Sequence, residues 1–211
     1  IFTSGATEAL NMIATGFFAN IVEAGDEILI TTSEHASNVL PWFRLAKDYG
    51  CIINYIPLDD NLHVTIDNVK KSISPRTKII ALAHITNVVG DVRPIKEITK
   101  LAHENNIFVV VDGAQSVPHL SVDVQDLDID FLAFSAHKML GPTGTGVLYG
   151  KKELLESLEP INLGGGMNES FDSPNEVYLK ELPTRLEAGT PNIAGVIGLG
   201  EAIRYLKKIG I

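Results

Sequence analysis

Residues 78–115 decide the fold, and they read KIIALAHITNVVGDVRPIKEITKLAHENNIFVVVDGAQ. An almost unbroken apolar run at 78–83 is followed by a helical pattern at 95–104, with Pro94 near its entry, and then by a second apolar run at 107–111. Strands that are apolar on both faces are typical of parallel sheets covered by helices on each side. The stretch therefore predicts a β-α-β unit.

The same alternation extends in both directions along the chain. Further strands are predicted at 26–32, 51–56, 131–134 and 146–149, and further helices from about Thr7 and at 39–49, 152–158 and 193–206. The link between the strands at 131–134 and 146–149 is too short for a helical crossover, so we expect that pair to be antiparallel. Residues 162–181 are rich in Gly, Asn, Ser and Pro and predict a long loop or an exposed hairpin. The predicted fold class is α/β: a mostly parallel sheet with one antiparallel strand, flanked by helices.

Composition limits the possible function classes. The chain has 211 residues, 45% of them hydrophobic, and a net charge of -9. Its Lys and Arg residues form no block that could neutralise a nucleic-acid backbone, and no apolar run is long enough to cross a bilayer. The start has no signal-peptide pattern, and Cys51 is the only cysteine. These features predict a cytoplasmic globular protein with no nucleic-acid or membrane partner.

The two ends of the sequence suggest a piece of a larger protein. The chain begins with Ile1-Phe2, which is typical of the end of a strand, and stops one residue after Gly210, a candidate helix cap. We therefore expect residues 1–211 to be one large domain, from which an N-terminal segment and a C-terminal small domain are missing.

Two polar residues stand at the ends of predicted strands. The amine of Lys138 would face the crevice where α/β proteins bind ligands, and there it could condense with an aldehyde. Asp112 could supply the negative charge that the pyridine nitrogen of pyridoxal 5'-phosphate (PLP) requires. Each residue also has an ordinary explanation, Lys138 as a solvated turn residue and Asp112 as a helix N-cap.

Other polar residues could hold a phosphate group or a flat ring. Thr7, at a helix start, places a hydroxyl beside unpaired backbone N–H groups, and Ser135 and His137 could add hydrogen bonds. His35, just past the predicted strand at 26–32, could stack on a heteroaromatic ring. Helix capping also explains Thr7, and His35 could be an ordinary loop histidine. The six histidines have no metal-binding spacing, so no metal site is predicted.

Six motifs, taken together in their order, resemble the SufS-like cysteine desulfurases and the related selenocysteine lyases. These are PLP enzymes of the class V aminotransferase family, with the fold type I architecture. The matching motifs are Thr7-Glu8, Glu34-His35-Ala36-Ser37-Asn38, His84-Ile85-Thr86-Asn87-Val88, Asp112-Gly113-Ala114-Gln115, Ser135-Ala136-His137-Lys138 and Glu187-Ala188-Gly189-Thr190-Pro191-Asn192. The resemblance extends almost from end to end of the chain.

The resemblance implies a role for each matching residue. Lys138 would carry PLP as a Schiff base and move the proton at the substrate Cα, and His35 would stack on the cofactor ring as the second catalytic residue. Thr190 would reach the phosphate of a neighbouring subunit, which implies a homodimer. The other implied cofactor contacts are Asp112 at the pyridine nitrogen, Gln115 and Asn87 near the phenolic oxygen, Thr7, Ser135 and His137 at the phosphate, and Glu8 beside them.

The implied reaction converts L-cysteine to L-alanine and passes the sulfur on as a persulfide, with a sulfur-acceptor protein and iron-sulfur cluster assembly as possible destinations. The family's nucleophilic cysteine and its carboxylate-binding arginine have no counterpart here. We interpret Cys51, at the start of an apolar strand, as a small core residue. Two alternatives stay open: another class V reaction, such as that of a selenocysteine lyase, an aminotransferase, an epimerase or a kynureninase, and a catalytically inert PLP-binding domain.

Overall fold

The chain is described by a computed structural model that covers residues 1–173 and 176–211. The strands are β1 (Phe2–Thr3), β2 (Glu27–Ile30), β3 (Ile52–Tyr55), β4 (Thr77–Ala83), β5 (Phe108–Asp112), β6 (Phe131–Ser135), β7 (Gly146–Gly150), β8 (Asn168–Ser173) and β9 (Glu176–Leu179). The helices are α1 (Ala6–Met12), α2 (Leu40–Tyr49), α3 (Ile66–Ser72), α4 (Ile95–His103), α5 (Val124–Leu127), α6 (Lys152–Glu156) and α7 (Ile193–Ile209).

Seven strands form one sheet in the order β1-β7-β6-β5-β4-β2-β3. Strands β2 to β6 pair in parallel wherever they meet, whereas β7 is antiparallel to both of its neighbours, β6 and β1. The predicted mostly parallel sheet with one antiparallel strand is therefore confirmed. Strands β8 and β9 form a separate hairpin, which is one of the two alternatives predicted for residues 162–181.

The two faces of the sheet bury two separate apolar cores, because successive side chains of a strand point to opposite faces. On one face, Ile79 and Val110 pack with α1, α2 and a cluster of aromatic rings that includes Phe18. On the other face, Ile80 and Val111 pack with α3 and α4. Helices on both faces explain why the central strands read as continuous apolar runs.

The ends of the elements follow local backbone chemistry. Helix α2 stops at Gly50, which adopts a left-handed conformation with φ 74° that favours glycine. Strand β2 ends at Ile30, earlier than the predicted 26–32, and the Thr31 side chain that follows is buried in a polar cluster. Within the described ranges, the structure contains no helix long and apolar enough to span a membrane.

Candidate active site

The parallel strands bring the polar motifs to one edge of the sheet. Strands β2, β4, β5 and β6 run in the same direction, so their carboxyl ends lie together. Four motif segments occur at these ends: Glu34-His35 after β2, Asn87 after β4, Asp112 in β5 and Ser135 to Lys138 in and after β6. This edge is where open α/β sheets bind their ligands.

Asp112 is a carboxylate buried at the end of β5, with only 5% of the residue exposed. Its Oδ1 accepts a hydrogen bond from the Ala114 N–H at 2.9 Å, and no other described residue donates to the carboxylate. Burial raises the pKa of Asp112, while the Ala114 N–H and the positive charge of Lys138 oppose that increase. The Ala114 bond fits the capping explanation, but a buried, singly bonded carboxylate would also be stabilised by a cation.

Lys138 ends a short 3-10 turn, Ala136–Lys138, that directly follows β6. The turn is held by the Ala136 N–H, which donates to the Thr145 carbonyl at 2.9 Å, and by the Gly141 N–H, which donates to the Ala136 carbonyl at 2.9 Å. A Cβ at Gly141 would lie 2.9 Å from that same carbonyl oxygen, so glycine allows the close return. Lys138 is half-buried, and its charge acts on Asp112 one strand away.

Hydrogen bonds tie the start of α1 to two of the strand ends. The Ser135 Oγ accepts from the Ala6 N–H at 2.8 Å, and the Thr7 and Ser37 hydroxyls are 2.7 Å apart. The backbones also meet closely, since a Cβ at Gly146 would lie 2.4 Å from the Gly5 Cα. The predicted phosphate residues Thr7 and Ser135 therefore belong to one connected structure.

His35 opens the turn Ala36–Asn38 and is exposed at the sheet edge. Its Nδ1 accepts a hydrogen bond from the Ser37 N–H at 3.1 Å, which places the proton of the neutral ring on Nε2. Because Ser37 also contacts Thr7, the imidazole and the start of α1 are fixed relative to each other.

Thr190 lies in a cleft that Glu8 of α1 also lines. Both line a cleft of about 200 Å³ with Ser4 and Asn162, and the lining includes neither Lys138 nor Asp112. The Glu8 carboxylate accepts from the Ser4 N–H at 2.5 Å, so its position here is that of a local cap.

The remaining predicted residues are placed at the same edge without a described side-chain bond. Asn87 is exposed in the loop after β4, His137 is exposed in the turn before Lys138, and Gln115 is half-buried after β5.

Cys51 is at the opposite end of the sheet, because it precedes the amino end of β3. Burial and the nearby Asp26 raise the pKa of its thiol. The described residues contain no cluster of His, Cys, Asp or Glu that could hold a metal ion.

Two buried polar residues of the edge received no role from the sequence: Arg93, which none of the six motifs contains, and His84, which opens one of them. Arg93 is fully buried and forms an ion pair with Glu34. His84 is buried at the end of β4, burial lowers its pKa, and its Nδ1 lacks a hydrogen-bond partner in the described part of the chain. In the sequence, each of the two is simply a polar or charged residue near the end of a strand, and residues of surface loops show the same pattern.

The chain belongs to the class V aminotransferase family, whose model matches residues 1–211. It is similar to the "Probable cysteine desulfurase" of Halalkalibacterium halodurans, with 49% identity over 211 residues, which are 100% of this chain and 52% of that protein. The chain thus spans about half the length of the curated relatives that it matches. The resemblance to cysteine desulfurases is confirmed.

Comparison with solved structures supports the same family. The cysteine desulfurase CsdA from Escherichia coli superposes with a TM-score of 0.94 and 42% identity, over 98% of this chain and 52% of that chain. A mutant of C-DES with glycine covalently linked to its PLP cofactor superposes with a TM-score of 0.88 and 26% identity, over 100% of this chain and 56% of that one. The fold is therefore that of PLP enzymes of this group.

Proposed function

We propose that residues 1–211 are the PLP-binding large domain of a cysteine desulfurase. The observation that carries the proposal is the buried Asp112 carboxylate, which accepts one hydrogen bond from the described residues and lies within the electrostatic influence of Lys138. A protonated pyridine nitrogen would supply the missing cationic partner, so these residues fit PLP. The similarity to cysteine desulfurases supports the choice of reaction.

Bound PLP supplies an electron sink for the carbanion that forms at the substrate Cα. The Lys138 Nζ would bind the aldehyde carbon of the cofactor and later carry the proton at that Cα. Asp112 would hold a proton on the ring nitrogen, since a buried carboxylate gains most from a charged hydrogen bond. His35, fixed through its Nδ1, would lie against the ring and exclude water from one side.

The other residues would orient the cofactor. Thr7, Ser135 and His137 would donate hydrogen bonds to the phosphate beside the start of α1, with Glu8 at its border. Gln115 and Asn87 would contact the phenolic-oxygen edge. Thr190 would reach the phosphate of a second subunit, as the resemblance to cysteine desulfurases implies, and the protein would be a homodimer with shared sites.

The substrate would be L-cysteine, with L-selenocysteine as the related alternative, and the products would be alanine and a cysteine persulfide. The sulfur would pass to an acceptor protein in the cytoplasm, for iron-sulfur cluster assembly. Cys51 does not fit the persulfide role, because it lies at the amino end of β3 and its thiol pKa is raised. The nucleophile would therefore come from outside these residues, and the 211-residue chain alone would be an inert PLP-binding domain.

We expect the full-length protein that contains this sequence to convert cysteine to alanine and to release sulfide when a reductant is present. The isolated 211-residue chain, loaded with PLP, should release none. The full-length Cys51→Ala variant should keep its rate, because the thiol is remote from the site. Alanine by amino-acid analysis and sulfide by methylene blue formation measure both products.

Three results would contradict this assignment. One is a keto acid in place of alanine, which would indicate transamination or β-elimination. Another is sulfide release by the isolated chain at the rate of the full-length protein. The third is loss of activity in the Cys51→Ala variant with unchanged PLP content.

A further inference from the structure

The Arg93 guanidinium is buried at the carboxyl ends of two strands. Its side chain and that of Glu34 are both 0% exposed, and the two form an ion pair through Arg93 Nη1. Nη1 also donates to the Ala83 carbonyl of β4 at 3.2 Å, and Nη2 donates to the Thr31 and Ser33 hydroxyls after β2 at 2.8 Å each. One side chain thus bridges the ends of β2 and β4.

On the β2 side, the contacts surround His35. Glu34 directly precedes it, and both carboxylate oxygens of Glu34 are occupied. Oε1 accepts from Arg93 and from the Thr31 hydroxyl at 2.8 Å, while Oε2 accepts from the Asn38 amide at 2.9 Å and the Ala83 N–H at 2.8 Å. The backbone on either side of His35 is therefore fixed through one carboxylate that Arg93 neutralises.

On the β4 side, the contacts close the loop that carries Asn87. The backbone N–H of Arg93 donates to the His84 carbonyl at 2.9 Å, and the backbone N–H of His84 donates to the Asp112 carbonyl at 3.0 Å. The Arg93 Nε lies 3.7 Å from the Asp91 Oδ2. The Asp91 N–H in turn donates to the Thr86 hydroxyl at 3.1 Å, across the base of the loop.

A planar guanidinium suits this position better than an ammonium. It presents donors in fixed directions to several acceptors at once, whereas lysine offers a single charged point. Two buried carboxylates, those of Glu34 and Asp91, face one guanidinium, and Asp91 has a second partner in the His63 Nδ1 at 2.6 Å. Loss of Arg93 would leave Glu34 buried without a counter-charge, which is strongly unfavourable.

We propose that Arg93 is a positioning residue for the active site, which holds the His35 turn and the Asn87 loop in one fixed arrangement at the ends of β2 and β4. It acts on the cofactor only through those two segments. Its effect on PLP rests on the proposed function, but its effect on the two segments does not. Arg93 is a buried cation that none of the six motifs contains.

The sole tryptophan gives a direct measure of this arrangement. The Trp42 Nε1 donates to the Asn38 Oδ1 at 3.1 Å, and the Asn38 amide donates to Glu34, so the indole reports on the end of the Arg93 network. Amide hydrogen exchange over 31–38 and 83–93 reports on the two segments themselves. Neither readout needs PLP or catalysis.

We would compare three variants of the 211-residue chain. Arg93→Lys keeps the charge and removes the planar donors, and the double variant Arg93→Met with Glu34→Gln removes both charges, so that neither is left buried alone. The control is Arg44→Met, because Arg44 pairs with Asp48 on the surface, where its side chain is 71% exposed. We expect faster exchange in 31–38 and 83–93, altered Trp42 emission, and a PLP dissociation constant raised about tenfold or more in the first two variants only.

The proposed role of Arg93 is overturned if Arg93→Lys and the double variant bind PLP within about twofold of the wild type. It is also overturned if exchange increases evenly over the whole sheet, because Arg93 would then stabilise the fold in general and not these two segments. If the wild type itself binds no PLP, the proposed function fails, and exchange alone decides this inference: loosening confined to the two segments supports it, and unchanged exchange overturns it.

Discussion

Lys138→Ala is expected to abolish the covalent attachment of PLP to this chain. A lysine bound to the PLP aldehyde absorbs at roughly 420 nm and becomes a stable adduct after borohydride reduction. Lys138 stands at the end of β6, where its charge acts on the buried Asp112. The absorbance band and the reduced adduct should therefore appear in the wild type and be absent in the variant. In the full-length protein, we expect the rate to fall by about 10²- to 10⁴-fold, as for loss of a proton-transfer group.

The matched control is Lys152→Ala, because the Lys152 side chain is 81% exposed and its ion pair is with Glu156 of the same helix, α6. This variant should give the wild-type spectrum. An unchanged band in Lys138→Ala, or an equal loss of the band in both variants, would contradict the role of Lys138.

Asp112→Asn should stabilise the PLP-free chain and weaken PLP binding at the same time. Burial raises the pKa of this carboxyl, so its charged form costs free energy in the folded state until a cation approaches. Removing a charge kept for function commonly gains about 0.5–2 kcal/mol, or a few degrees in Tm for a chain of this size. A neutral amide cannot hold the ring proton, and we expect the PLP dissociation constant to rise about tenfold or more.

The gain from Asp112→Asn should depend on pH in a defined direction. A carboxyl with a raised pKa is protonated in both states at low pH, so the variant has no advantage below about pH 4. As the pH rises above the unfolded-state pKa, the wild type loses stability, because the unfolded carboxyl ionises while the folded one still holds its proton. The difference in Tm should therefore grow and then level off above the folded-state pKa. Thermal melting between pH 4 and 8 measures it.

Asp128→Asn is a control, because the pKa of Asp128 is shifted in the opposite direction to that of Asp112. The Lys151 ammonium lowers the pKa of the exposed Asp128, so any stability that it contributes is present at neutral pH and lost as the pH falls. Its asparagine variant should show no gain at any pH. Our account of Asp112 would be wrong if Asp112→Asn lowered the Tm at pH 8 or bound PLP as tightly as the wild type.

The central sheet could be predicted from the sequence because its strands are buried on both faces. Runs such as 78–83 and 107–111 have no polar interruption, and the structure places them in β4 and β5. The short helices α3 and α5 were not assigned. Only Val69 of α3 is buried and no residue of α5 is, so neither carries an apolar pattern long enough to recognise.

The candidate site was predictable where a polar residue directly ends an apolar strand. Asp112 and Lys138 were predicted as site residues in this way, although the local pattern alone left a cap and a solvated turn as alternatives. The resemblance to cysteine desulfurases decided between them. Arg93 was missed because its burial depends on Thr31, Glu34 and Ala83, which are distant in sequence and meet only after the strands align. No sequence pattern encodes that meeting.

The most direct measurement is a crystal structure of the chain grown with PLP. We predict that the Lys138 Nζ is bonded to the aldehyde carbon of the cofactor, and that the pyridine nitrogen lies about 2.7–3.2 Å from the Asp112 carboxylate. PLP bonded to a different lysine, or a ring nitrogen that faces solvent with Asp112 left apart, would contradict the account.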